Sequence, residues 1–207
     1  NKNYFKHFFF ESKKHKNKIL KSIQIFDENG EASLKIYYKG KKIKKFEELA
    51  LASKVKYQYE LQLVENDSTI ETPTNYQNKI SFEFNICRSE KKYFDCSTQS
   101  LRLVLEKVSK QKIPVQIHAL GKGSVQYHRG RIFNLVDYGP WLNIIDKNFN
   151  LHLLESELKK SVLVEYICEE GKYYSLEFYD NEKKHLLGIS STKGFEKSFN
   201  EIINNLK

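Results

Sequence analysis

Ser22-Ile23-Gln24-Ile25-Phe26-Asp27 and Ser175-Leu176-Glu177-Phe178-Tyr179-Asp180 open two segments, Ser22–Leu49 and Ser175–Ile202, that align without a gap at an offset of 153 residues. Seven positions are identical: Ser22/Ser175, Asp27/Asp180, Leu34/Leu187, Ile36/Ile189, Lys44/Lys197, Phe46/Phe199 and Glu48/Glu201. Ile23/Leu176, Ile25/Phe178, Phe26/Tyr179 and Leu49/Ile202 keep apolar character. Each copy runs from a β-branched and aromatic strand through a polar turn into a second strand, and then into apolar residues at helical spacing. In the first copy Glu28-Asn29-Gly30 supplies residues that tolerate positive φ, so 19–38 reads as a hairpin, and Phe46, Leu49, Ala50 and Leu51 predict a helix near 43–53. A unit repeated in this way is a duplicated structural element.

Outward from the repeat, 4–12 reads as a strand and Thr72-Pro73-Thr74-Asn75 breaks regularity as a linker would. Ser97-Thr98-Gln99-Ser100 can cap a helix whose Leu101, Leu103, Val104, Leu105 and Val108 form an apolar stripe. Strand-like runs follow at 113–119, 123–128, 131–137, 141–146, 150–154, 161–168, 173–179 and 184–190. A last helix after Gly194 places Phe195, Phe199, Ile202, Ile203 and Leu206 on one face. The expected class is therefore α+β, with antiparallel sheets flanked by helices and a tandem structural repeat. The helix near Thr98 has no counterpart in the first copy, because its equivalent would lie ahead of residue 1. The 207 residues also contain no methionine. Both features lead us to expect a chain cut inside its first repeat.

The chain is 24.5 kDa with a mean hydropathy of −0.62. Its 40% hydrophobic content suits a folded, soluble protein, and no apolar run approaches the roughly 20 residues a membrane helix needs. The net charge of +9 comes entirely from residues 1–57, which carry 15 basic and 6 acidic groups against 20 and 20 in the remainder. Lysine-rich hairpin tips account for this excess. No nucleic-acid motif accompanies it, so nucleic acid is an unlikely partner. Cys87, Cys96 and Cys168 lack Cys-x-x-Cys spacing, which signals neither a disulfide framework nor a zinc site and fits a reducing cytoplasm. Asn66-Asp67-Ser68 is a weak glycosylation match.

Catalysis is not visible from spacing. His118 and His128 lie on neighbouring strand-like runs joined by the turn Gly121-Lys122-Gly123, close enough to approach each other in a hairpin. Two imidazoles without a third ligand make a poor metal site, and structural histidines are the plainer reading. Arg129 and Arg131 beside Lys122 form a cluster able to meet carboxylates or phosphates.

Gln126-Tyr127-His128-Arg129-Gly130, Asn134-Leu135, Gly139-Pro140-Trp141-Leu142-Asn143-Ile144-Ile145-Asp146 and Phe149-Asn150-Leu151-His152-Leu153 follow one another within 28 residues. In this order they resemble the second repeat of the HemS/ChuS/HmuS family of bacterial haem-utilisation proteins. Ser100–Glu106 is similar to the family helix entering that repeat, and the two repeated hairpins are similar to those closing each half. The resemblance implies residues 1–54 as the end of a first repeat, 55–97 as an inter-repeat linker and 98–207 as a second repeat. It also implies a cytoplasmic protein that binds haem as its cofactor or cargo between two halves, carrying or degrading it, with a haem transporter or a haem oxygenase as partner.

Departures from the family accompany the match. The family's axial histidine lies in the joining segment, yet residues 54–117 contain none, and Asn75 or Gln77 takes its approximate place. Arg88 corresponds to a family arginine, Tyr166 to a lysine and Lys193 to a basic residue after the last strand. Tyr166 offers a phenolate as an alternative iron ligand, or is a packed strand residue. The iron ligand thus stays unassigned. The alternative reading is a divergent member without histidine ligation, serving as a binding or regulatory module for another tetrapyrrole or a protein.

Overall fold

The computed structural model describes residues 4–16, 18–39, 43–52, 90–121, 124–168, 171–204 and 206. Contacts divide the chain into two units, one formed by Asn1–Thr69 with Gly121–Val125, the other by Ile70–Leu120 with Gln126–Lys207. In the first unit, β1 (His7–His15), β2 (Lys18–Phe26) and β3 (Ala32–Tyr37) form an antiparallel sheet in that order, followed by helix α1 (Ile43–Ala52).

The remaining elements are β4 (Glu90–Cys96), α2 (Ser100–Lys110), β5 (Val115–Gly121), β6 (Ser124–Gly130), β7 (Leu135–Tyr138), β8 (Trp141–Ile145), β9 (Asn150–Leu154), β10 (Lys160–Cys168), β11 (Gly171–Tyr179), β12 (His185–Ser191) and α3 (Glu196–Asn204). A six-stranded sheet has the order β4-β10-β11-β12-β5-β6, and β7-β8-β9 form a separate three-stranded sheet. The α+β class holds.

The duplication is visible element by element. At the same offset of 153, β1 and β2 fall on β10 and β11 residue for residue, β3 starts at the equivalent of His185, and α1 starts at the equivalent of Glu196. His7 pairs with Phe26 as Lys160 pairs with Tyr179. The turn chemistry recurs as well. The Asp27 carboxylate accepts the Asn29 and Glu31 N–H groups at 2.9 Å, and Asp180 accepts those of Glu182 and Lys184 at 2.9 Å. Such a carboxylate turn needs a left-handed residue to close it. Gly30 takes that place at φ 79°, and Lys183 takes it in the second copy at φ 63°.

The core follows from strand alternation and helix period. Leu163, Leu176, Ile189 and Ile117 sit in one row across four strands and are buried, with Phe178 and Leu187 two rows away on the same face. Leu101, Val104, Leu105 and Val108 of α2 and Phe199, Ile202 and Ile203 of α3 join the same cluster. Leu103, expected in the α2 stripe, is instead 47% exposed. It lies about 100° away from its neighbours around the helix, outside the 101/104/105/108 face.

Two further expectations change. The helix near Ser97–Ser100 starts without a side-chain cap: Gln99 is at the cap position, and the Ser97 hydroxyl accepts the Gln99 N–H at 3.2 Å. The strand expected at 131–137 is delayed to Leu135. Ahead of it the Asp146 carboxylate accepts the N–H groups of Phe133 and Asn134 at 3.1 and 2.9 Å, which removes those donors from a ladder. Glu90–Cys96, within the stretch expected to join the repeats, pairs antiparallel with β10.

Candidate functional site

Because the Leu163–Leu176–Ile189–Ile117 row faces the core, the neighbouring rows turn their side chains to the opposite face of the sheet. That face carries Tyr93, Val164, Ser175, Ser190 and Gln116 in one row, and Val162, Glu177, Gly188 and His118 in the next. Buried polar groups on such a face are costly unless they pair with one another.

Glu177 is the centre of that pairing. One carboxylate oxygen, Oε2, lies 2.6 Å from His185 Nε2 and 3.3 Å from His118 Nε2. The other, Oε1, accepts the Ser175 hydroxyl. The two imidazole rings stack at 5.3 Å between centroids and 5° between planes, and Tyr179 meets His185 edge-on at 5.4 Å. All three side chains are buried, with 4%, 5% and 10% exposure for His118, His185 and Glu177. Burial alone would raise the Glu177 carboxyl, but His118 and then His185 offset it and hold the group well below the usual carboxylate range.

Two backbone features bring these residues together. Glu177 and His118 are on strands flanking β12 and are both in register with Gly188. Their Cα atoms are thus two strand spacings apart, about 9.6 Å. Their side chains meet above the central strand only because residue 188 has none. A Cβ there would lie 2.1 Å from His118 Cε1, 2.2 Å from its Nε2 and 2.3 Å from Glu177 Oε2. The second feature is the irregularity between Phe178 and Tyr179, after which Tyr179 pairs with His185 rather than Leu186. The extra residue turns His185 onto the Glu177 face, as a bulge does.

The expected site residues are distributed as follows. Tyr166 is on β10, half-buried, level with Lys91 of β4 and Tyr173 of β11. The Lys91 ammonium lies 5.5 Å from its ring centroid. Burial first, then the charge of Glu177, push the Tyr166 phenol far above its ordinary value, which disfavours a phenolate. The same causes push Tyr179 up to about 12. Lys193 is exposed just past the end of β12, at the same end of the sheet as Tyr166. Gln77 and Arg88 lie outside the described residues, as does Asn75. The structure thus brings Tyr166 and Lys193 to one end of one sheet.

His118 and His128 do not form a pair. His128 instead stacks on Phe149 at 3.8 Å between centroids, and burial lowers its pKa. His118 stands out in the sequence, and its partners do not. A signal was present in the repeat itself, because the offset of 153 sets Glu177, His185 and Gly188 against Gln24, Ala32 and Lys35. At the other expected cluster, Lys122 is outside the described residues, and Arg131 Nε donates to the Lys112 carbonyl at 2.9 Å.

The model of the haemin-degrading HemS/ChuX domain matches residues 90–206, more than half of the chain. The chain belongs to the HemS/ChuX family. The hemin transport protein HemS of Yersinia enterocolitica is 24% identical to it over 86 residues, which are 42% of this chain and 25% of that protein. The present sequence thus spans a quarter of that relative in the match. Among solved structures, the fold is similar to that of the heme degrading enzyme ChuS from Escherichia coli O157:H7. The TM-score is 0.80 at 21% identity, over 99% of this chain and 68% of that one. Holo-PhuS, a heme-binding protein from Pseudomonas aeruginosa, gives 0.77 at 17% identity, over 97% and 67%. The family match takes in β4 through α3, and therefore the whole Glu177 cluster of this HemS/ChuX member. Among the described residues, no helix is long and apolar enough to cross a membrane.

Proposed function

We propose that this chain binds haem as substrate or cargo in haem utilisation, carrying or degrading it, against the β4–β10 end of the polar sheet face. The family match over residues 90–206 carries the reading. The chemistry of that end supports it. Tyr93 is 62% exposed, Tyr166 is on the adjoining strand and Tyr173 pairs with Tyr166 from the far side, which offers aromatic surface to a porphyrin. Lys91 and Lys193 supply cations for propionates, with Arg88 two residues ahead of β4 in sequence. The action on haem named for ChuS and the transport named for HemS are the two forms this role takes, and a cytoplasmic location with a haem transporter or oxygenase as partner goes with either.

The test is a hemin titration followed in the Soret region. The expected result is a saturable band at one equivalent, weakened at least tenfold in Tyr93→Asp, whose exposed position tolerates the change. Absence of any Soret shift in the wild-type chain would overturn haem binding, and an unaltered Tyr93→Asp would overturn the placement. Addition of a chemical reductant and oxygen separates the two forms of the role, since only degradation bleaches the band and releases iron.

One observation favours a second reading, in which the face serves another tetrapyrrole or a protein. Both imidazoles on it are turned onto Glu177, and its Tyr166 and Tyr179 phenols are held neutral. Tight binding of a metal-free porphyrin without hemin preference would support that version.

A further inference from the structure

We infer that His118, Glu177 and His185 form a binding site for one divalent first-row transition ion, separate from any haem. Their three ligand atoms all lie within 4.8 Å of one another. Two imidazoles and one carboxylate are a donor set suited to Zn2+, Co2+ or Fe2+. Bonds of about 2.0–2.2 Å to a tetrahedral ion set ligand atoms roughly 3.4 Å apart. His118 Nε2 and Glu177 Oε2 already stand at 3.3 Å; His185 Nε2 has to withdraw from 2.6 Å by less than about 1 Å, and the two rings, parallel within 5°, have to turn so that both nitrogens point at one ion. Ser175 holds the other carboxylate oxygen, Oε1, which leaves Oε2 facing the two nitrogens. An oriented ligand of this kind is what an outer hydrogen bond provides.

The first repeat supplies an internal control. It has the same hairpin and the same irregularity, between Ile25 and Phe26, so the bulge belongs to the repeated fold. At the equivalent positions it carries Gln24, Ala32 and Lys35, which offer neither an imidazole nor a carboxylate, and Lys35 shows that a long side chain is accommodated where Gly188 stands. Gly188 also has no left-handed backbone that would require glycine. A mid-strand glycine weakens a sheet relative to alanine. Its place in the second copy is accounted for by the space it leaves between His118 and Glu177. Each imidazole ligates in its neutral form with the ring proton on Nδ1, and Glu177 ligates as a carboxylate, so the loaded centre carries one net positive charge. Remaining coordination positions fall to water.

The experiment is a Zn2+ titration of the 207-residue chain without hemin, by calorimetry against a competing chelator. It stands whatever the hemin titration gives. One equivalent is expected to bind with a dissociation constant of about 1 µM or tighter. E177Q and G188A should each weaken binding at least 100-fold, while H7A leaves it unchanged. Ring 15N resonances of His118 and His185, two of six histidines, should move on Zn2+ addition in the wild-type protein, a readout that needs no variant to fold. Absence of a tight equivalent, shifts confined to the other histidines, or folded E177Q and G188A proteins with unchanged affinity would each overturn the site.

Discussion

Replacing Gly188 by alanine tests how the polar face is assembled. The added methyl would stand 2.1 Å from His118 Cε1 and 2.3 Å from Glu177 Oε2, whereas ordinary contacts begin near 3.4 Å. Both side chains therefore have to retreat by more than 1 Å in a buried layer that already holds the His185 ring. Overpacking of a buried site costs about 1–3 kcal/mol. Breaking the pairing of a buried carboxylate costs up to about 3–5 kcal/mol more when it is complete. Alanine returns about 0.4–1 kcal/mol by stiffening the unfolded chain. The expected net loss is about 2–4 kcal/mol, or roughly 10 °C in melting temperature for a unit of this size. Urea unfolding followed by circular dichroism measures it, with Lys35→Ala as the matched change in the first copy, where the midpoint should stay in place. A Gly188→Ala protein as stable as the wild type would refute the claim that glycine is there to let the flanking side chains meet.

Glu177→Gln should cost stability in a pH-dependent way. The Glu177 carboxyl is depressed in the folded state, so its contribution is fully present above the unfolded value of about 4.3 and is lost as pH falls below it. The gap in urea midpoint between wild type and Glu177→Gln should narrow as pH falls below about 4.5, and a gap that widens there would contradict the assignment. Phe178→Ala empties a fully buried place between strands and helices and should cost about 3–5 kcal/mol in the same assay. A loss under about 1 kcal/mol would show that the cluster of Leu176, Leu187 and Phe199 is not the core described.

Much of the fold was legible because the repeat records it twice. Strand alternation at Ile23/Ile25 and Leu176/Phe178, and the Asp27 and Asp180 turns, are local patterns that tertiary packing leaves intact. Misplaced details have local causes as well. Leu103 is apolar yet exposed because helix phase, and not composition, selects the buried face. The β7 boundary moved because the Asp146 carboxylate, a dozen residues away in sequence, takes the N–H groups of Phe133 and Asn134. The site was less legible. His118, Glu177 and His185 are spread over 68 residues and converge through a glycine and a bulge, and neither device has a spacing rule. Only the comparison between copies marks the replacement of Gln24, Ala32 and Lys35 by the glutamate, histidine and glycine. The haem contacts expected at Tyr166 and Lys193 came from resemblance, and strand register brings them to one end of the sheet.

The most direct measurement of the central claim is paramagnetic broadening of backbone amide resonances by ferric hemin, titrated into the 207-residue chain. Saturable broadening at one equivalent, centred on β4 and β10 around Tyr93 and Tyr166 and reaching Lys193, is the predicted result. Broadening confined to β1–β3, or none at any ratio, would contradict the account.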